Sequence, residues 1–236
     1  MASFVWNRDP EEAYSNPYEY LAQEQFVREA KRILTRLSKS LAKFNLHFGD
    51  ETSVKKAVWM LHNDAVDALR EALTLLTKSK HKLVGRIFRD VWESSQLVEY
   101  FLSGSPKSQN DLQKWFQNEI IEHRIIRERL EKIGNKTEAD KRRQTQRELS
   151  KFTHRSYRAL LKGYSRGGQD KMVYDGHAKF SVLPHTLAAY YAILGELIFR
   201  TLGSIKESKF VSEKEAKKIL RQSFEKTVVP RKFAPV

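Results

Sequence analysis

The sequence predicts an all-α protein, an antiparallel bundle of about five to seven helices behind an N-terminal arm. Three observations lead there. Apolar residues recur at three- and four-residue spacing along most of the 236 residues, which puts them on one face of a helix. No stretch alternates apolar and polar residues as a half-buried strand does. Glycine, proline and short polar residues gather at the ends of several apolar runs, where helices stop and start. No internal repeat of the solenoid kind is present.

Residues 1–17 read as a polar, aromatic-bearing arm punctuated by Pro10, Asn16 and Pro17, and residues 18–226 as one helical domain. A first helix is expected from about Tyr18 to Phe48, carrying Phe26, Ile33, Leu34, Leu37 and Leu41, with Gly49 ending it. Asp50 or Thr52 is placed to cap a second, about Ser53 to Thr77. A third runs from about Leu83 to Leu102 and stops at "SGSPKS". A fourth covers Asp111 to Ile133. Thr137, with Asp140 three residues on, then caps a fifth reaching about Leu161. The glycine-bearing stretch from Gly163 to Val182 reads as a long irregular loop. Pro184 starts a segment, to Ile205, that is apolar on nearly every face and belongs at the centre of the bundle. An amphipathic helix, about Ser212 to Lys226, precedes a tail of residues 227–236.

Composition narrows the chemistry. There are no cysteines, so disulfides, thiol catalysis and cysteine-based metal sites are excluded. No apolar run approaches the roughly 18 residues of a membrane span, and the first residues lack the apolar core of a secretory signal. A cytoplasmic protein that does not engage a membrane is the expectation. The formal charge is +14. Between His123 and Arg166 there are fourteen Lys/Arg and five Asp/Glu, so +9 of it falls in less than a fifth of the chain. A concentrated basic surface attracts nucleic acid by counterion release, although ion-paired helix faces such as "HRIIRERLEKIGN" can carry the same residues.

Within that basic segment lies "RELSKFTHRSY", residues 147–157. On a helix, Arg147 and His154 fall about 20° apart around the axis and about 10 Å apart along it, close enough to serve one phosphate or its neighbour. The apolar face of the same helix is made by Leu149, Phe152 and Leu160, more than about 90° away, so the pair faces outward. "HNDAVD" invites a metal reading of His62, Asp64 and Asp67. Residues two apart point to opposite sides of a helix, and no second ligand pair is evident. No metal or cofactor is expected. "GYSRGG" lacks the lysine and strand-to-helix setting of a phosphate loop. Glu93, on an amphipathic helix, would need a partner if buried, and Arg147 is one candidate.

An arginine followed after four to six residues by a histidine, late in a helical bundle, resembles the HEPN superfamily (higher eukaryotes and prokaryotes nucleotide-binding). "LSKFTH" is similar to a Leu-Ser-x-x-x-His element of a bacterial HEPN-like branch, where it follows a helix resembling "RDVWESSQLVEYF". The likeness covers roughly Ser53 to Gly203. It implies a metal-independent endoribonuclease of toxin or defence type, acting as a homodimer with two motifs facing across a cleft. Arg147 and His154 would then be catalytic, His154 moving the proton and Arg147 holding phosphate oxygens. Arg143, Lys151, Arg155 and Arg158 would track the RNA backbone. One residue departs from the family pattern: Glu148 stands where a small polar residue usually follows the arginine, and its charge would repel phosphate if it faced the cleft. The alternative is a non-catalytic helical module that binds nucleic acid or a protein partner through the basic face.

Overall fold

The computed structural model describes residues 19–44, 49, 51–78, 80–133, 136–153, 164–166, 172–174 and 184–225. Eight helices form among them: α1 (Glu19–Ala42), α2 (Val54–Thr77), α3 (His81–Leu102), α4 (Pro106–Phe116), α5 (His123–Ile133), α6 (Lys136–Thr153), α7 (Pro184–Glu207) and α8 (Glu213–Glu225). The fold is all-α, as the periodicity predicts. The segment read as irregular contains a short antiparallel hairpin, β1 (Tyr164–Arg166) and β2 (Met172–Tyr174), pairing Ser165 with Val173.

Each helix buries the stripe its sequence spells out. In α1, Phe26, Ala30, Ile33, Leu34, Leu37 and Leu41 repeat at helical spacing and are all buried. α2 and α7 pack on each other; α1 lies against both, and α3 lies against both from the other side. The result is a four-helix core filled by one continuous apolar cluster, with the Phe26 and Tyr191 rings edge to face at 5.1 Å. α8 packs on α1, while α4, α5 and α6 pack on α3. α7, read as central, touches α1, α2, α3 and α8, yet Glu196 and Phe199 of its outer face are exposed.

Several boundaries differ from expectation for local physical reasons. α1 stops at Ala42, before the predicted Phe48, because the chain turns at Lys43–Phe44 and the indole Nε1 of Trp59 donates to the Leu41 carbonyl at 2.9 Å. The predicted fourth helix is two helices. Asn118 adopts φ 64°, its N–H reaches the Trp115 carbonyl at 3.1 Å, and the N–H of Glu119 reaches Lys114 at 3.0 Å. That pair of bonds is a Schellman ending, with asparagine in the left-handed place that glycine more often takes. α7 ends in the same way at Lys209, φ 60°, with Phe210 buried just beyond it. Thr137 lies inside the first turn of α6 and not before it.

Ser53, and not Thr52, supplies the cap of α2: its Oγ accepts from the Lys56 N–H at 3.1 Å. Asp50 lies outside the described residues. Ser53→Ala is expected to destabilise the fold by about 1 kcal/mol, and Thr52→Ala to leave it unchanged, in denaturant titrations of the two variants.

Candidate nucleic-acid interface

Helix α6 carries the predicted site, and its inner face fixes how it sits. Leu149 and Ala139 are buried. Arg142, also buried, donates through Nη1 to the Leu130 carbonyl at 3.2 Å and through Nη2 to Glu99 of α3. A guanidinium so held pins α6 to both α3 and α5, with its charge matched by a carboxylate. The residues that follow the opposite face of the helix are then directed to solvent.

Arg147 is on that outward face. It is exposed, and no carboxylate pairs with it among the described residues. Arg143, one turn earlier, is also exposed but engaged. It grips Glu131 of α5 through Nε at 2.9 Å and Nη2 at 2.6 Å, with Asp140 at 3.8 Å. Its fork holds the Glu131 carboxyl below the usual carboxylate range. Glu148 is exposed beside Arg147. Lys151 belongs to the last turn of α6. His154, Arg155 and Arg158 lie outside the described residues, as do the arm of residues 1–17 and the tail of residues 227–236.

Arg147 does not partner Glu93. The Glu93 carboxylate, on a side chain 13% exposed, accepts from Arg89 Nε at 2.7 Å and Gln146 Nε2 at 3.4 Å and lies 3.4 Å from His123 Nε2. It therefore ties α3 to α5 and α6 through its own helix neighbour and two side chains not linked to it by any sequence pattern. Asp90, one turn before it on α3, has its carboxyl pushed up by desolvation and then by the Glu93 charge.

A groove of about 500 Å³ opens between α3, α6 and α7. Trp92 forms part of its wall, with the Arg200 guanidinium 4.3 Å from the ring centre. Arg200 also donates to Ser95 Oγ at 3.3 Å and lies 3.6 Å from Glu99. Burial pulls the Arg200 pKa down, and Glu99 opposes the change. Sequence reasoning missed this cluster, since Glu99, Arg142 and Arg200 come from three helices distant in the chain and carry no shared motif.

His62 is a core histidine. Ser208 Oγ donates its one hydrogen to the Ser204 carbonyl at 2.7 Å, so the 3.1 Å contact requires His62 Nε2 to be the donor to Ser208. Burial lowers its pKa to about 4, partly offset by the Ser204 carbonyl. Asp64 is exposed on the other side of α2, as helical geometry requires. Among the described residues no three potential ligands converge on a metal position, and no helix is long and apolar enough to cross a membrane.

No protein-family model, curated protein or solved structure matches the chain. The HEPN resemblance thus rests on the sequence pattern, and function has to be argued from the site.

Proposed function

We propose that this protein binds RNA through the outward face of α6, using Arg147 and Lys151 to hold the phosphate backbone and His154, Arg155 and Arg158 to extend the contact. The observation that carries the reading is the contrast between two arginines one turn apart. Arg143 is neutralised by Glu131, whereas Arg147 is exposed with no carboxylate pairing among the described residues. A guanidinium that no described carboxylate neutralises keeps its attraction for phosphate. Measured by fluorescence anisotropy of a single-stranded RNA over a salt series, Arg147→Gln is expected to weaken binding severalfold and flatten the slope of log K against log salt by about 0.7. Arg143→Gln is expected to change both much less. Equal effects of the two substitutions would overturn the assignment.

A second reading, metal-independent RNA cleavage by Arg147 and His154 from two copies of the chain, draws on one specific observation. Glu93, the carboxylate expected as a candidate partner for Arg147, is engaged instead by Arg89 and Gln146 and does not draw Arg147 away from substrate. In this reading His154 takes the ribose 2′-hydroxyl proton, and the attacking oxygen displaces the 5′-oxygen at phosphorus while Arg147 offsets the added charge. Cleavage in the presence of a chelator, abolished by either Arg147→Ala or His154→Ala with folding intact, is the outcome it requires.

A further inference from the structure

We propose a second RNA-binding site, the groove between α1 and α8, which takes the phosphodiester backbone of a separate RNA segment. The inference rests on the RNA-binding reading above and extends it to the opposite flank of the molecule. Ser40 of α1 and Lys43, just past its last residue, meet Glu215 of α8, while Arg36 reaches the carbonyls of Lys218 and Ile219 at 3.4 and 3.5 Å, so the two helices run antiparallel. They enclose a concavity of about 480 Å³.

Its charge is one-sided. Five cations line it, Arg36, Lys39, Lys43, Lys214 and Lys218, against the single carboxylate of Glu215. That carboxylate is already satisfied by Ser40 Oγ at 3.0 Å and Lys43 Nζ at 3.3 Å. The other acid of the first turn of α8, Glu213, is held by Lys206 at 3.1 Å and Lys217 at 3.4 Å. Lys39, Lys214 and Lys218 are all exposed and form no ion pair among the described residues. Cations from two helices thus converge on one concavity whose acids are spent, the arrangement in which a cleft focuses field lines on an anion. From Arg36 to Lys43 the row is about 10 Å long, the length of a few phosphates along one strand. Arg36, bonded across to α8, keeps the walls in register without giving up its charge.

The groove cannot serve the same short stretch of RNA as α6. α1 and α8 lie on one side of the α2–α7 pair, and α5 and α6 pack on α3 on the other. A chain with both sites joins two RNA segments.

The test uses the full chain and a labelled RNA oligonucleotide too short to span the two flanks, with stoichiometry read by sedimentation. Wild type is expected to bind two oligonucleotides per chain, and the variant carrying Lys39→Gln, Lys214→Gln and Lys218→Gln to bind half as many. All three side chains are exposed, so the variant is expected to fold, and its circular dichroism and melting curve verify this. Two longer RNAs carrying donor and acceptor dyes are expected to show energy transfer with wild type and lose it with the variant. Unchanged stoichiometry and transfer in the variant would overturn the groove while leaving the α6 reading intact. Loss of binding in the groove variant, with none in Arg147→Gln, would support the groove and overturn α6. A wild type that binds no RNA overturns both.

Discussion

Replacing Asp111 by alanine is expected to destabilise the protein by about 3 kcal/mol, lowering the melting temperature by roughly 6–12 °C. Asp111, buried on α4, accepts a hydrogen bond from the Tyr100 hydroxyl at 2.8 Å and is paired with Arg129 of α5. Tyr100 is fully buried on α3, and Arg129 also bonds its hydroxyl and stacks 5.5 Å from its ring centre. One carboxylate therefore joins three helices. Its removal leaves a partly buried guanidinium and a buried phenol without their acceptor, and the cost of such orphaned groups exceeds the value of the bonds themselves. Tyr100→Phe is the informative comparison: it removes one hydroxyl and leaves Asp111 on Arg129, so about 1 kcal/mol is expected. Burial, with the Asp111 carboxylate at its oxygen, pushes the Tyr100 pKa up to about 12, so the phenol stays protonated and keeps donating at neutral pH. Thermal melts of the two variants side by side measure the difference.

The second large effect is acid sensitivity centred on His62. In the unfolded chain its imidazole takes a proton near pH 6.5, whereas in the fold burial postpones this to about 4. Between those values the unfolded state binds the extra proton, so stability rises with pH across the window. The contribution is complete above about pH 6.5 and is lost as pH falls toward 4, by about 3 kcal/mol in all. His62→Gln retains a donor for Ser208 and cannot titrate there. The wild-type minus variant difference in unfolding free energy, measured from pH 7 to 4, is expected to show this slope. A flat difference would mean that His62 takes up its proton in the fold at the same pH as in the unfolded chain.

Which parts of the structure were readable in advance follows from the range of the interactions. Helix α3 ends where "SGSPKS" said it would, and α7 and α8 start and end within a residue or two of their predicted limits, because caps and breakers act on adjacent residues. The break between α4 and α5 has a local cause as well, but Asn118 in the left-handed region is a weaker written signal than glycine. Ile120, within the span expected as one helix, is 95% exposed in that connection. The shortening of α1 comes from Trp59, eighteen residues from the carbonyl it caps, and no local pattern announces it.

The candidate site divides in the same way. That Arg147 faces outward was legible from the helical wheel alone, since Leu149 is buried on the opposite side. That Arg143 is occupied was not, because Glu131 sits on another helix. The Glu99–Arg142 and Arg200–Ser95 contacts join residues 43 and 105 apart in the chain, and only the packing of α3 against α6 and α7 brings them together. The basic groove of α1 and α8 was hidden for the same reason: Lys39 and Lys214 each read as an ordinary solvated lysine until their helices are set side by side.

RNA bound along α6 would lie within crosslinking distance of its outward face. Photo-crosslinking of a single-stranded RNA to the full chain, followed by peptide mapping, tests it most directly. Crosslinks are expected within residues 136–153, beside those of the α1–α8 groove, centred on the turn of Arg147 and reduced by Arg147→Gln. RNA that binds with a steep salt dependence yet leaves that helix unlabelled would contradict it.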